Sequence, residues 1–167
     1  KRMKQKDYPI QPVSFTKVRM TDQFWAPKIE INRTVTIPSI LKRCEETGRI
    51  DNFAKAAKLK PGGYAGVWPF DDTDVYKLIE AAGFSLGLRP DPGLEKTLDA
   101  VIDLIAAAQE PDGYIYTWRT IDPVGVREWG GPERWSNIAR SHEHYNAGHL
   151  FEAAAAYYQS TGKRALL

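Results

Sequence analysis

One cysteine in 167 residues rules out an internal disulfide, and with it the small secreted domains that disulfides staple together. There is no run of roughly 20 apolar residues, the length needed to cross a bilayer. Charge of one sign is also scarce. Lys and Arg number 23 against 21 Asp and Glu, a net of +2, and the basic residues are scattered. That excludes a basic face for nucleic acid. The first residues, Lys1 to Asp7, are charged and lack the apolar stretch of a secretion signal. Together these absences predict a cytoplasmic protein with neither membrane nor nucleic acid as partner. What is present is a globular balance of 43% hydrophobic and 26% charged residues, with five Trp. A chain of this length can bury a real core as one domain.

The stretch from Ser141 to Thr161, S-H-E-H-Y-N-A-G-H-L-F-E-A-A-A-A-Y-Y-Q-S-T, organises the rest. Ser141 is a good N-cap, Glu143 meets the positive end of the helix dipole, and Gly162 suits the left-handed position after the last turn. Ala147, Leu150, Phe151, Ala153 to Ala156, Tyr157 and Tyr158 cover more than half of the circumference, which predicts a buried helix. His142, Tyr145, His149 and Glu152 form a stripe at helical spacing on it. Two His and a Tyr bind polar ligands and move protons near neutral pH. The same stripe also suits core residues with satisfied hydrogen bonds, and both readings stand.

Earlier in the chain, residues 13–19 alternate apolar and polar and predict a strand, following an N-terminal extension over residues 1–12. A helix follows Pro27, and Pro38 predicts a break or kink in it between Lys28 and Thr47. Cys44 lies three and four positions after Leu41 and Ile40, on the apolar face, and is expected to be a small core residue. Gly48 stops this helix, and a short one spans about Asn52 to Lys58. An aromatic loop through Tyr64, Trp68 and Phe70 leads to a helix capped by Asp71 or Asp72 and ending near Leu88. Asp91 and Pro92 open another, with Leu94, Leu98, Val101, Ile102, Ile105 and Ala108 on one face. After Glu110 the chain reads as an extended Y-I-Y-T-W segment and a long loop to Arg140, and long loops are often functional.

Leu78-Ile79-Glu80-Ala81-Ala82 matches Leu150-Phe151-Glu152-Ala153-Ala154 at an offset of 72 residues. Each copy is a helix entered through a polar, aromatic loop. Repeated helical hairpins belong to solenoids or toroids, with inner helices around a central pocket. The expected fold is all-α, an incomplete (α/α) toroid with a short N-terminal strand. Such a cut toroid leaves apolar faces uncovered at Leu150, Phe151, Leu166 and Leu167, which predicts self-association.

Asp71-Asp72-Thr73-Asp74 is the densest acidic group. Capping accounts for part of it, and Asp72 or Asp74 facing a sugar hydroxyl is a better reading than a metal site. His142-Glu143-His144-Tyr145-Asn146 is not a zinc-protease helix, since that motif needs a second His where Asn146 stands. Glu143, Glu152, Asp72 and Asp74 are all eligible for glycoside chemistry.

Five segments in series carry a resemblance: V-S-F-T-K-V-R-M-T-D-Q-F-W-A-P, C-E-E-T-G-R-I-D-N-F, D-D-T-D-V-Y-K-L-I-E-A-A, D-L-I-A-A-A-Q-E-P-D-G-Y-I and H-E-H-Y-N-A-G-H-L-F-E-A-A-A-A-Y-Y. In order and spacing the chain resembles the N-terminal part of glycoside hydrolase family 127, the β-L-arabinofuranosidases. The resemblance implies an α-helical barrel with β-sandwich material, and retaining cleavage of terminal β-L-arabinofuranosides. It also implies a cysteine thiolate nucleophile beside a zinc ion held by Cys and Glu. Carried over, His142, Glu143, Tyr145, Asp72 and Asp74 are sugar-binding residues, with His144 at a usually apolar place. The family's nucleophile, zinc ligands and acid/base match nothing in this chain, so no catalytic residue, metal or cofactor is assigned within it. The chain alone is expected to be inactive, and a non-catalytic carbohydrate-binding or interaction module is the alternative.

Overall fold

The computed structural model describes residues 10–167, so the charged Lys1–Asp7 stretch lies outside the described residues. Helix α1 (Trp25–Ile31) passes through a π-helical turn (Asn32–Thr36) into α2 (Ile37–Glu46), and α3 (Arg49–Ala56) follows. The long helices α4 (Asp72–Leu88) and α5 (Pro92–Ala108) form a hairpin. Three short helices, α6 (Thr117–Ile121), α7 (Arg127–Gly130) and α8 (Ile138–Ser141), lead into α9 (Glu143–Thr161). The described residues hold no strand. The expected strand at residues 13–19 is instead extended chain around a single 3-10 turn, Phe15–Lys17. A strand needs a partner for its ladder, and none is described. Phe15 anchors this segment instead, edge-on to Phe84 at 5.0 Å.

Pro38 acts as expected, but without a break. Having no N–H to donate, it falls in the first turn of α2, and the chain takes up the mismatch in the π turn just before it. Gly48 ends α2 at φ +75, and a Cβ there would meet the Ala65 Cβ at 2.7 Å. Asp91 caps α5 by accepting from the Gly93 and Leu94 amides. The apolar face read on α5 is the one that it buries, from Leu98 through Val101, Ile102 and Ile105 to Ala108.

The repeated helices α4 and α9 are the centre of the molecule, and they run parallel. His142 lies on Phe70, Lys77 reaches Tyr145, and a Cβ on Gly83 or Gly87 would meet Ala156 or Ser160. Sequence numbers rise together along both. Ile79, Ala82, Ala153 and Tyr157 close the contact without exposure, with Leu98, Ile102 and Ile105 of α5 beneath them. This is one wall of an (α/α) toroid.

Helix α9 is buried over a narrower stripe than its composition predicts. Ala153, Ala154, Ala156 and Tyr157 are inside, whereas Phe151 is 69% exposed and Tyr158 is also exposed. Of the expected uncovered face, Phe151 and Leu167 are exposed, while Leu150 and Leu166 pack on the core.

The approach at Gly83 is backbone against backbone. A Cβ there would lie 3.2–3.3 Å from the main chain of Ala156 and Tyr157, so a larger side chain has no flexible neighbour to displace. Gly83→Leu is expected to lower unfolding stability by about 3 kcal/mol through overpacking. Urea denaturation checks it, and a variant as stable as the parent would show that the helices can part at no cost.

Candidate functional site

At the N-terminal ends of α4 and α9 a rim of aromatic and polar groups is held from behind by buried carboxylates. Neither Asp71 nor Asp72 caps α4 with its side chain, contrary to the expectation from sequence. Asp71 turns back into the preceding loop, where it accepts from the Val67 and Trp68 amides and the Tyr64 hydroxyl at 3.0–3.2 Å. Arg49 pairs with it at 3.0 Å. Asn52, wholly buried, exchanges two hydrogen bonds with the Ala65 backbone, and Asn146 donates to the Pro69 carbonyl. Side chains from α3, from Asp71 just before α4, and from α9 thus fix one aromatic loop, because a buried backbone group must find a partner.

Asp72 is 3% exposed and accepts from both the amide and the hydroxyl of Thr117. It ties α4 to the Tyr114–Thr117 segment. Burial pushes its carboxyl up to about 6, and Asp71 adds to the rise, against the Thr117 hydrogen bonds and Arg49. Glu143, 2% exposed, does the same work for α9. It accepts from the Tyr114 hydroxyl at 2.5 Å and the Trp135 amide at 3.0 Å, with the Arg119 guanidinium at 3.7 Å. Burial and Glu143 hold the Tyr114 hydroxyl protonated, well above its usual range. Both carboxylates are almost wholly buried, and the hydrogen bonds they accept come from the protein itself. They tie the N-terminal ends of α4 and α9 to the segments that donate them.

The residues left facing outward are His142, Tyr145, Asp74, Trp68 and Trp135. Position 142, not Ser141, is the N-cap of α9, with His142 in the left-handed region at φ 55. Ser141 stays close, its hydroxyl accepting from the Glu143 amide. The His142 ring meets Phe70 and Tyr145 edge-on at 5.1 and 5.8 Å, and its Nδ1 faces the Arg140 carbonyl. Tyr145 accepts from Lys77 at 2.7 Å. Lys77 stands one turn after Asp74, which is exposed and lies 3.3 Å from Arg49. Trp135, at φ 62, meets Tyr114 edge-on and His144 at a tilt yet is 43% exposed. A bulky residue held at positive φ is a strained position, and such positions cluster at ligand sites.

Sequence reading found both carboxylates but not their partners. Tyr114 and Thr117 lie in the segment read as extended, and Arg119 and Trp135 in the long loop, which here folds into short helices. No local pattern marks a side chain whose role is to satisfy a carboxylate many residues away.

Paired, repeated helices carrying an aromatic rim at one end place the chain among the helical-toroid proteins. More particularly, the chain belongs to the GH127 β-L-arabinofuranosidase family, matching that family's catalytic domain over residues 17–167. A non-reducing end β-L-arabinofuranosidase of Bifidobacterium longum subsp. longum is 47% identical over 100 residues, 59% of this chain and 14% of its own length. A solved GH127 β-arabinofuranosidase superposes with a TM-score of 0.88 at 51% identity, over 95% of this chain and 25% of its own. A second, the GH127 β-L-arabinofuranosidase of Geobacillus stearothermophilus T6, gives 0.81 at 39%, over 89% and 23%. The chain therefore spans a quarter or less of the length of these relatives.

The thiolate-bound zinc implied by the resemblance does not fit the residues here. Cys44, the one cysteine, is 3% exposed within the core, and burial pushes its thiol up to about 11, with Asp74 adding to the rise.

Two outcomes follow from these environments. Protonated Asp72 adds stability that is complete below the ordinary carboxyl pKa, about 4. That stability is lost as pH rises through about 6, the reverse of a salt-bridged carboxylate. Relative to Asp72→Asn, the parent's unfolding free energy should therefore fall between about pH 4 and 6, by on the order of 2 kcal/mol. A relative rise over that interval would contradict the raised value. At pH 8, Cys44 is expected to react with a disulfide reagent at least about two orders of magnitude more slowly in the folded chain than in guanidinium. Comparable rates would place the thiol at the surface.

Proposed function

We propose that this chain forms one wall of the sugar pocket of a retaining glycoside hydrolase that acts on terminal β-L-arabinofuranosides or related sugars. Family membership and the activities named for its relatives support the substrate class. The observation that carries the wall is the rim itself. His142, Tyr145, Trp68 and Trp135 present ring edges and faces at one end of the parallel helices, where the first turn of α4 also carries the exposed Asp74 carboxylate. A furanose has an apolar C–H face and a hydroxyl edge, and such a surface meets both. Tyr145, fixed by Lys77, and His142 hold hydroxyls. Asp72 and Glu143 keep the two helix ends and the Trp135 loop in register behind them.

Retaining hydrolysis needs a nucleophile and an acid on either side of the bond. The buried, protonated Cys44 is no nucleophile, so the chain alone binds sugar without turning it over. Titration with methyl β-L-arabinofuranoside, followed by Trp fluorescence, is expected to show binding at about millimolar strength, as befits a small ligand on an open wall. His142→Asn keeps the left-handed backbone accessible, and Tyr145→Phe removes only the hydroxyl. Each is expected to weaken binding about tenfold. Affinity indifferent to both variants would overturn the rim assignment. Release of p-nitrophenol from the corresponding chromogenic furanoside, given zinc and reductant and abolished in Cys44→Ser, would overturn the division between binding and chemistry.

A further inference from the structure

We propose that Glu80, His149 and Glu152 form a binding site for a divalent first-row transition-metal ion that clamps α4 to α9. The site lies further along the helices than the rim, where the internal repeat sets equivalent glutamates facing each other. Glu80 of the first copy corresponds to Glu152 of the second. Parallel packing brings the two carboxylates and the intervening imidazole together, with one ligand atom of each within 4.8 Å of the others.

On α9 the pair is His-Leu-Phe-Glu, residues three apart that project from one face. A His and a Glu three apart on one helix, joined by a Glu from a neighbour, is a donor arrangement that helical bundles use for transition metals.

The contact between His149 and Glu152 is what points to a cation. The imidazole Nδ1 approaches a Glu152 oxygen at 2.9 Å, yet it is buried and has no hydrogen-bond partner. An imidazole nitrogen and a carboxylate oxygen at that distance are spaced like neighbouring ligands on one metal. The glutamates are not neutralised otherwise, because among the described residues neither Glu80 nor Glu152 pairs with a Lys or Arg. Lys77, the nearest cation on α4 in sequence, donates instead to the Tyr145 hydroxyl. Glu80 and His149 are half-buried and fixed by the helix contact, whereas Glu152 is exposed and able to swing in. Imidazole with two carboxylates suits zinc or manganese, and the imidazole disfavours magnesium. The donors are nitrogen and oxygen, distinct from the thiolate set of the family resemblance.

The test uses the 167-residue chain stripped with a chelator and titrated calorimetrically with Zn²⁺, Mn²⁺ and Mg²⁺ in turn. One Zn²⁺ should bind per chain, Mn²⁺ more weakly, and Mg²⁺ not at all. His149→Gln and Glu80→Gln should each weaken Zn²⁺ binding about tenfold or more, and the rise in thermal midpoint that Zn²⁺ gives the parent should vanish. Glu152→Gln alters an exposed side chain and leaves the fold intact, so it must show the same loss with an unchanged circular dichroism spectrum. Spin-echo spectra of bound Mn²⁺ should carry one imidazole nitrogen, absent in His149→Gln. The proposal is overturned by an absence of Zn²⁺ binding up to millimolar concentration. It is equally overturned by Zn²⁺ binding that persists in Glu152→Gln and His149→Gln, or by Mg²⁺ competing on equal terms.

Discussion

The close approach of two parallel helices at Gly83 is the constraint on which the other features depend. With no side chain there, the α4 backbone lies directly on Ala156 and Tyr157 of α9. The register this sets carries along both helices. Toward their N-terminal ends it brings Lys77 to Tyr145 and Phe70 to His142. Toward their C-terminal ends it brings Gly87 to Ser160 and leaves room for Phe15. A slide of one turn, about 5.4 Å, would separate every one of these pairs. The rim is therefore a property of the packing between repeats, not of either repeat alone.

Holding the rim in place requires polar groups in the interior, and these are costly unless satisfied. Glu143 answers this fully, with a hydroxyl, an amide and a guanidinium around its two oxygens. Asp72 answers it with two hydrogen bonds from one residue and no direct cation, and its raised pKa measures what is left uncompensated. Asp71, next to it, has the Arg49 guanidinium. Adjacent aspartates thus face different surroundings because successive side chains at a helix start point in different directions. One is drawn into the loop before the helix, the next into the segment that follows α5. The acidic run that stands out in the sequence is two unrelated anchors and one exposed carboxylate, Asp74.

How much of this the sequence showed depended on the range of the interaction. The Asp91 cap and the Gly48 stop rest on backbone geometry within a few residues, and the α5 face on a periodicity within one helix, so each was legible. The repeat between Leu78–Ala82 and Leu150–Ala154 was legible because two copies of one pattern can be compared without knowing the fold. The strand over residues 13–19 was misread because alternation shows only that one face is apolar, and here the apolar member, Phe15, is used against a helix. Helix α9 looked buried because its composition counts Phe151 and Tyr158 as core, although both point outward. For the site, His142 and Tyr145 were visible as unusual residues at helical spacing. Arg119, Thr117 and Trp135 were not, since each is explained only by a carboxylate on another element.

The same reasoning explains why polar residues lie along the open side of α9 at all. On a helix with a Phe, a run of Ala and three Tyr, a His at 149 and a Glu at 152 forgo apolar packing, and in a simple solvent face Lys or Gln would serve equally well. Instead the stripe is continuous. His142 contacts Tyr145, Tyr145 contacts His149 at 4.5 Å, and His149 contacts Glu152. Edge-to-face stacking of imidazole on phenol fixes ring planes, so the orientation of His142 at the rim is linked, through two rings, to whatever holds His149. The ladder runs down the line where α4 meets α9. A group that drew Glu80 and Glu152 together would tighten that line at its middle, and a ligand on His142 would act on its upper end. The geometry of the rim is then set from below as well as from the buried carboxylates behind it, and both sets of supports lie on the pair of helices that the repeat created.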